Sequence, residues 1–119
     1  MEKSTDYIGV RLSKALYDDF KIYCKSRELS ITFAMELFVD ECIKNNNIPF
    51  TLGESIENNI KYSDSQARKS LYMSRNKRDK FQSICEDKFC LSMAGVIKAY
   101  MVYCIVHRPK LPYSFEKTV

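Results

Sequence analysis

The chain repeats itself. Ser13, Phe20 and Cys24 return 61 residues later as Ser74, Phe81 and Cys85. Leu29, Ser30 and Cys42 return after 62 as Leu91, Ser92 and Cys104. Pro49, between Ile48 and Phe50, returns after 63 as Pro112, between Leu111 and Tyr113. An offset that grows one residue at a time is what short loop insertions would produce. Two unrelated amphipathic helical hairpins would also share some letters, but here the same Ser and the same Pro fall at matching places in both copies. A unit present twice is a supersecondary piece that cannot bury its apolar face alone and needs its neighbour to do so.

Each copy opens on an alternating stretch. In Tyr7–Ser13, Ile8, Val10 and Leu12 fall on one side and Tyr7, Gly9 and Arg11 on the other. In Arg68–Ser74, Leu71 and Met73 take the inward places and Arg68, Ser70 and Tyr72 the outward ones, while Lys69 occupies an inward place that an apolar residue would suit better. A period of two is that of a half-buried strand. Neither stretch has a hairpin partner close in sequence, and a lone strand leaves its backbone N–H and C=O groups unpaired. The expectation is that 7–13 and 68–74 pair with each other as one antiparallel ribbon.

Helical periodicity follows each stretch. Ser13 is placed to cap a helix over about 14–28 whose apolar stripe is Leu16, Phe20, Tyr23 and Cys24. Ser30 caps a second, carrying Ile31, Ala34, Met35, Phe38, Cys42 and Ile43 and stopping at Asn45-Asn46-Asn47, since Asn tolerates the left-handed backbone of a helix end. Ile48-Pro49-Phe50 reads as an apolar plug. The polar run 51–67 reads as a surface linker, with one helical turn near Ser55–Ile60. The second copy then gives helices over about 75–89 and 93–107, with Phe81, Ile84 and Cys85 and then Val96, Ile97, Tyr100, Met101 and Cys104 inward. After Tyr113 a short frayed tail is expected. The expected fold is mostly α with one two-stranded antiparallel β-ribbon, a tandem arrangement of 7–50 and 68–113 sharing one core.

Composition narrows the functional classes. With only 3 Gly and 3 Pro in 119 residues, an all-β sandwich is disfavoured. The net charge of +4 is unevenly spread: residues 1–50 carry −1, residues 51–67 carry −2 and residues 68–119 carry +7. The second half is thus the one expected to face a polyanion more closely. The N-terminus lacks the apolar run of a signal peptide. The longest apolar segment, 93–106, is broken by Lys98 and shorter than the ~20 residues a bilayer needs, so a cytoplasmic protein without membrane contact is expected. Five cysteines with no Cys-x-x-Cys pair read as small buried hydrophobes, not as a zinc site or disulfide framework. There is no Gly-rich phosphate loop, and the single histidine, His107, closes the last helix. No catalytic residue, metal or cofactor is expected, and the chain is read as a binding protein rather than an enzyme.

Val10-Arg11-Leu12-Ser13 and Leu71-Tyr72-Met73-Ser74, each leading into a helix, together with the Leu-Ser turn before each second helix, resemble the ribbon-helix-helix family of Arc- and MetJ-type repressors, which read the major groove with a β-ribbon. The resemblance covers 7–50 and 68–113. In that family two chains usually form the dimer; here one chain carries both copies, and a pseudo-dimeric monomer is implied.

The resemblance implies sequence-specific binding of double-stranded DNA. By position, the outward residues Tyr7, Gly9 and Arg11 and their counterparts Arg68, Ser70 and Tyr72 would meet base edges. An arginine there can bond guanine O6 and N7 with both arms of its fork. The amino ends of the second helices, Ser30, Ile31 and Thr32 and again Ser92, Met93 and Ala94, would face phosphates; plain capping explains the same serines. Lys69, Arg75, Lys77 and Arg78 would add phosphate contacts. Tandem ribbon-helix-helix proteins of mobile elements include relaxosome accessory factors, which bind near an origin of transfer and assist a relaxase in conjugation, and that is the implied role. A transcriptional repressor is the alternative. An antitoxin, to which Ile48-Pro49-Phe50 gives a partial likeness, is a third, weakened by the few residues left after Tyr113 to wrap a toxin.

Overall fold

The computed structural model describes residues 5–49 and 66–108. Pro112, the Ser55–Ile60 turn, Phe50 and the C-terminal tail lie outside them. The element order is β1 (Thr5–Ser13), α1 (Lys14–Ser26), α2 (Ile31–Asn45), β2 (Gln66–Ser74), α3 (Arg75–Ser83) running into a π-helical turn (Ile84–Lys88), and α4 (Met93–His107). The fold is mostly helical with one two-stranded antiparallel sheet.

β1 and β2 pair over their full length, from Thr5 opposite Ser74 to Ser13 opposite Gln66. Both strands start two residues earlier than their alternation indicated, so Gln66 and Ala67 belong to the sheet and not to a linker. The backbone pairing demanded by two lone strands is met within the chain. Ile8, Val10, Leu12 and Met73 are buried beneath the ribbon, and Leu71 is half-buried.

Each helix start has the same local cause. Ser13, Ser30, Ser74 and Ser92 all sit in extended backbone, and each hydroxyl accepts from the amide three residues on: Leu16 at 2.9 Å, Phe33 at 3.1 Å, Lys77 at 3.2 Å and Gly95 at 3.0 Å. One otherwise orphaned donor is satisfied at each end, typically worth ~1 kcal/mol. The helix ends turn on left-handed residues: Asn46 and Arg108 close α2 and α4, and Glu28 and Cys90 form the bends before them.

The step in offset from 61 to 62 has a physical origin different from a loop insertion. In the first copy Leu29 N–H reaches back to the Cys24 carbonyl; in the second Leu91 N–H reaches back to that of Cys85, one residue farther along the chain. The extra residue is taken up inside the helix, as the π-helical turn Ile84–Lys88. A single inserted residue widens one turn in this way and leaves the helix on either side in phase.

The core is one cluster drawn from both copies. At its centre Phe38 of α2 lies flat on Tyr100 of α4, ring centroids 4.0 Å apart and planes 10° from parallel. Phe20 meets Tyr100 edge-on, and Phe81 meets Phe38 edge-on, both at 5.9 Å. Offset and edge-to-face arrangements are those aromatic quadrupoles favour. The Tyr100 hydroxyl donates to the Ala34 carbonyl at 3.3 Å, which satisfies its polar end inside the core. Two basic side chains tie the copies at the rim: Arg27 donates to the Arg108 carbonyl at 2.9 Å and Lys88 to the Asn46 carbonyl at 2.7 Å. Among the described residues no single helix is long and apolar enough to cross a membrane.

Candidate nucleic-acid interface

The register fixes what faces what on the outer side of the ribbon. Tyr7 lies opposite Tyr72, Gly9 opposite Ser70, and Arg11 opposite Arg68. The six residues expected to share this face therefore do so, in three cross-strand pairs. The two tyrosine rings are 5.9 Å apart and tilted by 45°, and both are well exposed. Arg11 and Arg68 are also exposed. Residues directly opposite on one face of an antiparallel pair have Cβ atoms about 5 Å apart, and like charges placed so repel. Neither arginine makes an ion pair with any described residue.

Gly9 has a geometric task. The Arg68 guanidinium folds across the strand onto it: a Cβ at Gly9 would lie 2.9 Å from Arg68 Nη2 and 3.2 Å from Nε. Any larger residue at 9 would push the flexible end of Arg68 aside. The missing side chain thus makes room for the neighbouring cation.

The flanking cations divide into two groups. Arg75 remains largely exposed, with Asp6 3.7 Å away. Arg78 and Lys77 are engaged inside the molecule. Arg78 Nε donates to the Tyr7 carbonyl at 2.9 Å and lies 3.8 Å from Asp6, and Lys77 pairs with Asp40 at 2.8 Å. Arg78 so covers a carbonyl on the open edge of β1. Lys69, on the inner side opposite Val10, stays exposed by passing its ammonium over the Tyr17 ring, 4.5 Å from the centroid. Its aliphatic stem shields apolar surface while the charge stays wet. Asp6, Asp40 and Tyr17 as partners of these cations were not readable from the sequence, since each lies far from its cation along the chain.

The amino ends of α2 and α4 sit where the sequence put them. Ser30 and Ser92 are exposed and use their hydroxyls on Phe33 and Gly95, which leaves the amides of the first turn, Ile31 and Thr32 or Met93 and Ala94, without intrahelical acceptors. Ile31 lines the same small apolar crevice under the ribbon as Val10, Leu12, Lys69 and Leu71, so the α2 terminus adjoins the arginine-bearing part of the sheet. The Met93 side chain is buried, and only its backbone can meet a ligand.

No family model matches the chain, and neither does any curated protein or solved structure. The geometry of the site itself therefore carries the functional argument.

Cys24, Cys42, Cys85 and Cys104 are buried, and desolvation pushes the thiols of Cys24 and Cys85 up to about 12 and raises those of Cys42 and Cys104 as well. A thiol held protonated is a poor nucleophile. Among the described residues no three His, Cys, Asp or Glu side chains come together as a metal site would require.

Proposed function

We infer that this protein binds double-stranded DNA by laying the outer face of its β-ribbon in the major groove. One observation carries the reading: Arg11 and Arg68 oppose each other on an exposed strand pair, and neither forms an ion pair with a carboxylate among the described residues. That arrangement is unfavourable in isolation and favourable against a polyanion. The groove is wide enough for a two-stranded ribbon and displays a distinct donor and acceptor pattern for each base pair. From Tyr7 to Arg11 the face runs four residue steps, ~14 Å, or about four base pairs.

The chain is further proposed to be a ribbon-helix-helix pseudo-dimer in one polypeptide. Four relationships support this. Gly9 faces Ser70, the residue 61 places on. Phe38 stacks on Tyr100, the residue 62 places on. The edge contact of Phe20 with Tyr100 has its counterpart in that of Phe81 with Phe38. The Arg27 bond to Arg108 has its counterpart in the Lys88 bond to Asn46. A two-fold axis through the midpoint of the ribbon and the centre of the aromatic stack would generate all four. On this reading the amino ends of α2 and α4 meet phosphates on either side of the ribbon, through backbone amides and helix dipoles.

Within DNA binding, the proposed role is that of a relaxosome accessory factor at an origin of transfer, with transcriptional repression as the alternative; a relaxase gene beside this one favours the first. The binding function is tested by titrating a fluorescent random-sequence duplex at several salt concentrations and following anisotropy. Binding that weakens linearly in log–log form with salt is the expected result, and it should weaken further in Arg11→Ala/Arg68→Ala. Absence of salt-dependent binding by the native chain removes the function.

A further inference from the structure

The outer face of the ribbon is chemically polarised along its length. Both arginines are rooted at one end, as the cross-strand pair Arg11 and Arg68, with the flexible Arg68 guanidinium reaching back over Gly9. Both tyrosines lie at the other, as the pair Tyr7 and Tyr72, with rings 5.9 Å apart. Between them sit the two smallest residues of the face, Gly9 and Ser70. The polarity extends to the surroundings. Asp6 stands beside the tyrosine end and is held by Arg75 and Arg78, so the cations flanking that end already have a carboxylate partner. At the arginine end Lys69 adds a third cation, and no described carboxylate pairs with Arg11 or Arg68. The repeat makes this polarity inevitable: position 7 corresponds to 68, and position 11 to 72, so each copy places its arginine where the other places its tyrosine. Antiparallel pairing then gathers like with like.

The geometry points to a DNA reader with one permitted orientation: a non-palindromic duplex whose guanines meet Arg11 and Arg68 at one end of the ribbon and whose thymine methyls meet the Tyr7 and Tyr72 rings at the other. This rests on the major-groove reading above and adds the class of target. Guanine offers two acceptors to a guanidinium fork, whereas adenine offers one acceptor beside a donor that repels it. An apolar ring edge gains from a thymine methyl and gains nothing from the cytosine amino group. Turning the protein end for end on the same site would set arginines on methyls and rings on guanine acceptors. Each lost guanine contact would weaken binding by about tenfold.

The test is selection of bound duplexes from a random-core pool, run in parallel with the native chain and with Arg68→Tyr/Tyr72→Arg. Both changes are at exposed positions, and circular dichroism checks that the variant folds. In the variant the second copy reads Tyr, Ser, Arg where the first reads Tyr, Gly, Arg, so the face becomes nearly symmetric. The native chain should enrich a non-palindromic sequence, guanine-rich at one end and thymine-rich at the other, and the variant an inverted repeat. An inverted repeat from the native chain, or the same consensus from both proteins, overturns the orientation while leaving DNA binding intact. No enrichment by the native chain, with no salt-dependent retention of duplex, overturns the groove-reading function and the orientation with it.

Discussion

Phe38 lies flat against Tyr100 at the crossing of α2 and α4, and each of the two rings takes an edge-on contact from a phenylalanine of a neighbouring helix, Phe81 and Phe20 respectively. All four side chains are fully buried. Phe38→Ala removes the ring on which two of these contacts depend and should cost about 3–5 kcal/mol in urea unfolding. Tyr100→Phe keeps the ring and loses the hydroxyl's hydrogen bonds, that to the Ala34 carbonyl among them, so about 1–2 kcal/mol is expected. Equal losses for the two would mean that the stack is not what joins the helices.

Four buried thiols and one exposed thiol make a second prediction. Cys90, in the bend before α4, should react with a chromogenic disulfide reagent at neutral pH, and the other four only when the chain unfolds. The same burial sets an alkaline limit. Desolvation lifts Cys24 and Cys85 from an ordinary 9.0 to about 12, so the unfolded chain releases these protons first as pH rises. Their contribution to stability is full below pH ~9 and is lost progressively from there up to ~12. Thermal melting followed between pH 8 and pH 11 should show a falling midpoint, less steep in Cys24→Ala/Cys85→Ala, where, of the buried thiols, only Cys42 and Cys104 remain to titrate late.

Strand pairing, helix starts and core faces were legible because each has a local signature. Alternation in Ile8, Val10 and Leu12, serine before each helical run, and the repeat itself were enough to place β1 against β2 and Phe38 with Tyr100 in one core. What could not be read was which cations are already occupied. Lys77 and Arg78 belong by sequence to a basic cluster, yet Asp40 and Asp6 hold them, and these carboxylates lie in the other copy. Lys69 looked like a charge in an apolar place; Tyr17, from α1, makes that place tolerable. The growth of the offset was visible, but its cause was not, because a π turn and a loop insertion leave the same count of residues.

That turn supplies a third prediction. Deleting exposed Asp87 from Ile84–Lys88 should let the segment close as ordinary α-helix, as the first copy does over the same stretch. Stability should change by no more than ~1 kcal/mol, since π turns arise from single insertions and are reversible by single deletions. Deleting Glu41 from the C-terminal third of α2 is the contrast: it rotates everything after it by ~100° and turns Cys42 out of the core. Circular dichroism and urea midpoints distinguish the two, and an unfolded Asp87 deletion would show that the turn is itself required by the packing.

Arg11 and Arg78 separate reading of DNA from support of the reader. Arg11 is exposed and makes no ion pair among the described residues; Arg78 is spent on the Tyr7 carbonyl and on Asp6. Arg11→Ala should therefore leave unfolding unchanged within ~0.5 kcal/mol and weaken binding to a selected site by ~1–3 kcal/mol, more than to random duplex. Arg78→Ala should do the reverse in kind. It exposes an edge carbonyl and leaves Asp6 to Arg75 alone, so stability should fall by about 1–2 kcal/mol and amide exchange along β1 should quicken. Its salt slope for DNA binding should match that of the native chain, because the cation is already neutralised at home. A shallower slope for Arg78→Ala, by about one unit, would place its guanidinium on a phosphate and mean that it leaves Asp6 on binding.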